Sequence, residues 1–366
     1  MKQIIRKYLS EMSYIKDIVP IYFKYLFNIS HCFGMKSAVY SNEFKKYIKY
    51  YKENELDQEI YRQIKDFVQT PLLLYSDRLV LDENESIPTL IVVVKDELDR
   101  MKLFMEYYCR LGIHQFIIVD NDSTDGTREY VAEQPDTRVY LVKEPFQTQK
   151  KQAWIEKILA ITGYNRWYIV VDSDELIDYV GSEDHSIEEL IQIGKKNEQV
   201  RLQGYMVDMY SDSPLFSLQC SYDKIPQLFS LFDKDSYPEE KPYKIMGGPR
   251  SRLFGLKITL SKQSIFYFKP EMLYANSHYL YLPGSKSYED NIFVIKHYKF
   301  LEQDRMVYED HVKKGNYYNN SQKYEVIMNQ INQNQEVTYV YNQSAIYVSS
   351  ESLKQLPFLH WIEWNE

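Results

Sequence analysis

The chain has 366 residues, 44% of them hydrophobic, and a formal net charge of -8. This length and apolar content exclude a disordered chain and allow one large or two modest domains with a sizeable core. The acidic balance argues against a general nucleic-acid binder. Three scattered cysteines, Cys32, Cys109 and Cys220, give neither a disulfide framework nor a metal-ligand spacing and favour a reducing compartment.

The N-terminal stretch is basic. Lys2, Arg6, Lys7, Lys16, Lys24, Lys36, Lys45, Lys46 and Lys49 face only Glu11, Asp17 and Glu43. Residues 18–29 are apolar and aromatic, but Lys24 interrupts them and they are too short to span a bilayer. No small-residue cleavage site follows, so no signal peptide is expected. Two readings stand for this segment. It packs on the main domain as a helical extension, or it lies on the anionic inner face of a membrane as a peripheral contact. The expected location is cytoplasmic. Residues 41–68 read as a charged helix. Residues 82–88 are polar and end in Pro88, which puts the boundary between a leader, 1–86, and the main domain near residue 87.

The main domain opens on Thr89-Leu90-Ile91-Val92-Val93-Val94, a β-branched run typical of a strand buried on both faces. Leu98, Met101, Met105, Tyr108 and Leu111 then recur at helical spacing, and Gly112 supplies the stop. Residues 113–119 form a second strand, so the unit is βαβ and its strands are parallel. This second strand ends in Asp120-Asn121-Asp122-Ser123-Thr124-Asp125-Gly126-Thr127. These residues cap helices and form turns, but they also sit where open α/β sheets bind ligands. A carboxylate or amide there can accept from a base N–H or a ribose hydroxyl. No GxGxxG and no GxxxxGK[ST] occurs, so neither a dinucleotide fold nor a P-loop is supported.

Residues 139–142 read as a third strand. Lys150 and Lys151 then open a helix carrying Trp154, Ile155, Ile158 and Leu159. Two lysines at a helix start oppose the macrodipole, which suits a nearby phosphate; the plainer reading is two exposed lysines. Residues 167–171 form the fourth strand, which delivers Asp172-Ser173-Asp174-Glu175. Carboxylates crowded at one strand tip repel unless something positive lies between them. A divalent cation on a phosphate meets that need, while an ordinary acidic loop is the alternative.

Taken together, Val94-Lys95-Asp96-Glu97, Tyr107, Gly112, the Asp120–Thr127 turn and Asp172-Ser173-Asp174-Glu175 resemble the family-2-like glycosyltransferases of GT-A fold, in a bacterial branch. Later segments are similar as well: Gly204 to Tyr210, Gly247-Gly248-Pro249-Arg250-Ser251-Arg252, Leu260-Ser261-Lys262, Asn276-Ser277-His278-Tyr279 and Ile295-Lys296-His297-Tyr298-Lys299-Phe300. Lys95-Asp96 departs from the more frequent Arg-Asn, and Asn276-Ser277 stands where a glycine is common. The resemblance implies an α/β, Rossmann-like GT-A fold with a mixed, mostly parallel sheet and flanking helices. It also implies a donor half over 87–210, an acceptor half over 211–328 and a tail over 329–366 packing on the domain.

The same resemblance implies a nucleotide-diphosphate sugar donor, a glycan or lipid-linked acceptor, and Mn²⁺ or Mg²⁺ held by Asp172 and Asp174. His297 is a candidate third ligand, as is His278 more remotely; a lone histidine is otherwise structural. Lys95, Glu97, Asp120, Asn121, Asp122, Lys150, Lys151, Asp172, Arg250 and Arg252 are the expected nucleotide-sugar contacts. Arg250 and Arg252 read alternatively as neighbours on one strand face making salt bridges. Inverting transfer needs a carboxylate to take the acceptor's proton. Asp208 is the first candidate for that base, with Glu175 and Asp212 behind it. The setting implied is bacterial surface polysaccharide or glycoconjugate synthesis.

Two other classes stay open. One is a catalytically inactive nucleotide-sugar-binding scaffold. The other is a nucleotidyltransferase or phosphohydrolase using the same carboxylates. A nucleotidyltransferase would carry a glycine-rich loop after its first strand, and an aspartyl phosphohydrolase its Asp-x-Asp there. Ser186-Ile187-Glu188-Glu189 is a capping box with a structural role. The aromatic stretch 227–300 is the expected acceptor side, and residues 353–364 are an apolar segment expected to dock on the domain or a partner.

Overall fold

The computed structural model describes residues 72–241, 244–269, 272–276, 278–281, 291–315 and 321–364. The basic leader, the charged helix over 41–68 and Cys32 lie outside the described residues.

The elements of the first half are β1 (Leu73–Asp77), β2 (Thr89–Val94), α1 (Leu98–Arg110), β3 (Phe116–Asp120), α2 (Thr127–Glu133), β4 (Thr137–Leu141), α3 (Thr148–Thr162), β5 (Arg166–Val170), β6 (Glu175–Asp178), α4 (Ile187–Lys196) and β7 (Arg201–Met209). Short strands β8 (Leu231–Asp233), β9 (Glu239–Lys241) and β10 (Lys244–Ile245) follow, then the helix α5 (Pro249–Phe254). The second half continues with β11 (Ser261–Phe268), β12 (Leu273–Asn276), β13 (Tyr279–Tyr281) and β14 (Asn291–Tyr298). It closes on α6 (Asp304–Lys314), α7 (Gln322–Gln333) and β15 (Ser344–Ile346).

Nine strands form one sheet in the order β1-β4-β3-β2-β5-β11-β7-β14-β6. Both faces are covered, and the sequence shows why. Along β2, Leu90, Val92 and Val94 pack with Met101, Phe104 and Tyr108 of α1. Ile91 points the other way, to Trp154, Ile155, Ile158 and Leu159 of α3. Successive side chains alternate across a strand, so an unbroken apolar run fits only a doubly covered position. The second strand begins three residues later than the sequence suggests. Gly112 takes φ +89° and Ile113 N–H donates to the Tyr108 carbonyl, so closing α1 uses those residues. The capping box forms as read, with Ser186 Oγ accepting from Glu189 N–H and Glu189 accepting from Ser186 N–H.

Pairing corrects the mostly parallel expectation. Among the described residues, β4–β3, β3–β2, β2–β5 and β7–β14 are parallel. Pairs β1–β4, β5–β11, β11–β7 and β14–β6 are antiparallel, as are the three small ribbons. The protein is therefore α/β with a large mixed sheet whose described pairings divide evenly between parallel and antiparallel, and antiparallel pairing is the more frequent only once the small ribbons are included. Within the segment read as a helical leader, residues 73–77 form edge strand β1 on β4 rather than helix.

Direction matters more than pairing for the site. Because β11 runs against both β5 and β7, those two point the same way. Strands β2, β3, β4, β5, β7 and β14 thus share one direction and end at one edge of the sheet. β5 and β6 are separated by β11, β7 and β14, so residues 171–174 must cross that carboxyl edge to join them. The acidic motif is this crossing.

The C-terminal segment packs on the same body. Leu353, Leu356 and Leu359 are buried in the α1-side core. The Trp364 indole N–H donates to the Val180 carbonyl at 2.7 Å, and the ring stacks on His185 at 4.0 Å. Among the described residues no helix is long and apolar enough to cross a membrane.

Candidate functional site

Where the acidic segment crosses the sheet, three strands meet it in register. Asp208 on β7, His297 on β14 and Glu175 on β6 are successive Cα partners, so they form one row across three strands. Tyr298 N–H donates to the Asp174 carbonyl at 3.0 Å and fixes the segment against the end of β14. From behind, Tyr107 and Tyr108 of α1 donate their hydroxyls to the Ile177 and Glu175 carbonyls and brace β6.

Each carboxylate here has a cationic partner. Lys151 at the start of α3 pairs with Asp172. Lys299 Nζ lies 3.4 Å and His297 Nε2 3.6 Å from Asp174 Oδ2. Lys262 on β11 pairs with Glu175 at almost complete burial, with side chains 2% and 3% exposed. Arg250 Nε lies 2.8 Å from Asp208 Oδ2, and His297 Nδ1 lies 2.6 Å from Asp208 Oδ1. Side chains here supply the positive charge that must separate these carboxylates.

The titration behaviour follows. Burial pushes the Asp174 carboxyl up, but Lys299, His297 and Arg100 outweigh it and hold it well below the usual range. Asp208 is likewise raised by burial and lowered further by Arg250 and His297. Asp172 is held low by Lys151 and Lys262 against its own desolvation. Lys299 loses by burial and gains more from Asp174, so its ammonium is held well above its ordinary range.

Glu97 behaves in the opposite way. Burial pushes its carboxyl up to about 7 from 4.5, with Arg100 opposing and Asp174 and Asp304 adding to the rise. Between those two values the folded state keeps a proton that the unfolded chain releases. Stability should therefore fall as pH rises through that window and level off above it. Glu97→Gln is expected to remove this fall, worth about 3 kcal/mol at most. Metal-free urea unfolding at about pH 5 and about pH 8 reads it out. An unchanged pH dependence in the variant would refute the assignment.

The donor set that could hold a cation differs from the expected one. Asp174, Glu175 and His297 offer ligand atoms that all lie within 4.8 Å of one another. Asp172 is not among them and turns to Lys151 instead. Two carboxylate oxygens and an imidazole nitrogen suit Mn²⁺ and are acceptable to Mg²⁺.

The other expected contacts divide into two groups. Asp120 and Asn121 are buried at the end of β3, and Asp120 Oδ2 and Asn121 Oδ1 have no hydrogen-bond partner. The Asn121 amide is anchored by donation to the Val142 and Glu144 carbonyls. Burial raises the Asp120 carboxyl against Ser123 and Arg128. Asp122, with φ +59°, lies 3.6 Å from Arg128. Lys95 donates to the Asn121 and Asp122 carbonyls, which ties the ends of β2 and β3 together.

The second group points elsewhere. Lys150 pairs with Glu144 at 3.0 Å, away from the carboxylates. Arg252 makes two 3.0 Å contacts to buried Asp233 and covers the Tyr341 ring at 3.8 Å. Arg250 and Arg252 are not strand neighbours. They lie on α5, started by Gly248 (φ +78°) and Pro249 and stopped by Gly255 in the left-handed region. Asp212 is exposed and accepts from Ser213 Oγ. His278 is turned to the Ser261 carbonyl, and burial with Lys262 nearby lowers it to about 4.

Three contributors had no role in the sequence reading. Lys262 and Lys299 stood in segments quoted for the resemblance, without a function. Arg100 is buried between Glu97 at 3.1 Å and Asp304 at 2.9 Å. A charged residue on the apolar face of α1 was its only signal. Neither a family model nor a curated protein matches the chain.

Proposed function

We propose that the chain is a metal-dependent glycosyltransferase of GT-A-like, Rossmann-type fold, moving a sugar from a nucleotide-diphosphate donor to a hydroxyl acceptor with inversion. The observation that carries this reading is the acidic segment crossing the carboxyl edge of a mixed sheet onto a histidine, with lysines and an arginine around it. Open α/β sheets bind ligands beyond the carboxyl ends of their strands.

Within this reading Asp174, Glu175 and His297 hold Mn²⁺ or Mg²⁺, with Asp172 beside them. Bound there, the ion supplies positive charge against the diphosphate as it departs. The chain's own cations work toward the same end. Lys151 and Lys299 exchange a carboxylate partner for phosphate oxygens, since both pair with the crossing segment and stay partly accessible. The unpartnered Asp120 Oδ2 and Asn121 Oδ1 accept from the base or ribose of the donor, because a buried acceptor left unmatched is costly. The acceptor, a glycan or lipid-linked hydroxyl, enters on the aromatic side formed by the second half.

A second reading has an observation of its own. The lysine partners of Asp172, Asp174 and Glu175 neutralise the carboxylates without a metal, which suits a scaffold that binds a nucleotide sugar and transfers nothing. Release of nucleoside diphosphate from a panel of sugar nucleotides, with and without Mn²⁺, in the wild type and Asp174→Ala, separates the two.

A further inference from the structure

Asp208 has the sequence position of a catalytic base but not the surroundings of one. It is 3% exposed. One of its oxygens takes His297 Nδ1 at 2.6 Å and the other takes Arg250 Nε at 2.8 Å. A proton acceptor needs an oxygen that the acceptor hydroxyl can reach, and both oxygens of Asp208 are taken. We propose that Asp208 is a positioning residue: it fixes the His297 ring so that Nε2 faces the Asp174–Glu175 donor group, and Arg250 fixes Asp208. This inference rests on the metal-dependent reading given above.

Strands β7 and β14 are parallel, with Asp208 and His297 as Cα partners, and β6 places Glu175 on the other side of His297. The imidazole therefore has a carboxylate on each flank. With Asp208 accepting at Nδ1, that nitrogen is the donor and Nε2 is turned toward Asp174, 3.6 Å away. A carboxylate on the far nitrogen of a metal-binding histidine fixes its tautomer and ring orientation.

Arg250 is held in turn by the turn that delivers it. Gly247 takes φ +131°, and a Cβ there would fall 2.2 Å from the Ser236 carbonyl oxygen. Only glycine lets the chain pass there and start α5 beneath Asp208. The relay accordingly runs from a backbone constraint through Arg250 and Asp208 to His297.

The test uses the full chain with Mn²⁺ alone as the probe. Free-ion EPR gives the Kd, and pulsed EPR reports the nitrogen coupling of a histidine ligand. The wild type is expected to bind Mn²⁺ with a histidine nitrogen coupled to it. Asp208→Asn is expected to weaken Mn²⁺ by about 10- to 100-fold and to change that coupling. Arg250→Lys keeps the charge but loses the planar fork. It is expected to give a smaller loss, about tenfold or less, and it decides the matter if Asp208→Asn does not fold. Wild-type affinity and coupling retained in both variants, with transfer abolished in Asp208→Asn, would restore Asp208 as the base and overturn the positioning role alone. No Mn²⁺ uptake by the wild type would overturn the metal reading and this inference with it.

Discussion

Lys262→Met is expected to destabilise the protein by about 3–5 kcal/mol, the range for breaking a buried ion pair by removing one partner. Lys262 comes from β11, the antiparallel strand inserted between β5 and β7, and it reaches Glu175 with both side chains nearly inaccessible. Burial alone would lower the ammonium, but Glu175, Asp172 and Asp174 together raise it, so the charge belongs to the folded state. Methionine fills the volume and leaves Glu175 without its counter-ion. The double variant Lys262→Met, Glu175→Gln removes both charges and should recover much of the loss, because the penalty lies in the orphaned carboxylate rather than in the pair. Salt should change neither result much, since buried pairs are weakly screened. Urea unfolding of the single and double variants measures it. A single-variant loss under about 1 kcal/mol would mean that the Lys262–Glu175 pair does not carry this weight in the native protein.

The second large effect concerns the register of the row that carries His297. Gly204 on β7 is the Cα partner of Phe293 on β14. A Cβ at Gly204 would fall 2.2 Å from Phe293 Cε2, closer than real contacts allow. Gly204→Ala is therefore expected to cost about 1–3 kcal/mol by overpacking. Phe293→Leu should recover part of that cost in the double variant while losing some packing by itself. The coupling energy between the two positions, about 0.5–3 kcal/mol, is the quantity to measure. The same β7–β14 pairing sets Asp208 beside His297, so Gly204→Ala should also weaken Mn²⁺ binding although it touches no ligand. Additive effects would show that the glycine is not there to admit the ring.

Local pattern made the first half of the sheet legible. The apolar run of β2, the spacing along α1 and the cap at Ser186 each declare themselves within a dozen residues, because propensity and periodicity act at that range. The placement of the acidic motif at the carboxyl edge of the sheet was also readable, since the βαβ order gives the preceding strands one direction.

What the local pattern could not show was which distant residues close on that edge. Lys262 lies 87 positions from Glu175, and Arg100 lies 204 from Asp304. Those pairings are set by the insertion of β11 and by the return of β14 beside β7, and neither strand announces its neighbours. The same ignorance made Glu175 look like the end of one strand when it starts another. It made Asp208 look like a candidate base, because Arg250 and His297 reach it from 42 and 89 positions away. Edge strand β1 was missed for a different reason. Leu73, Leu74 and Tyr75 are about half exposed, and their pattern lacks the alternation of a half-buried strand.

The central claim is that the crossing segment, through Asp174, serves metal-assisted departure of a nucleoside diphosphate. Its most direct test is release of nucleoside diphosphate from a panel of sugar nucleotides, with thermal unfolding followed on the same samples. The wild type should release diphosphate from at least one donor only when Mn²⁺ or Mg²⁺ is present. Asp174→Ala should lose that activity by at least about a hundredfold while staying folded. Stabilisation by a nucleoside diphosphate without release from any donor would favour the binding scaffold. Release that ignores both the metal and the Asp174 substitution would contradict the account.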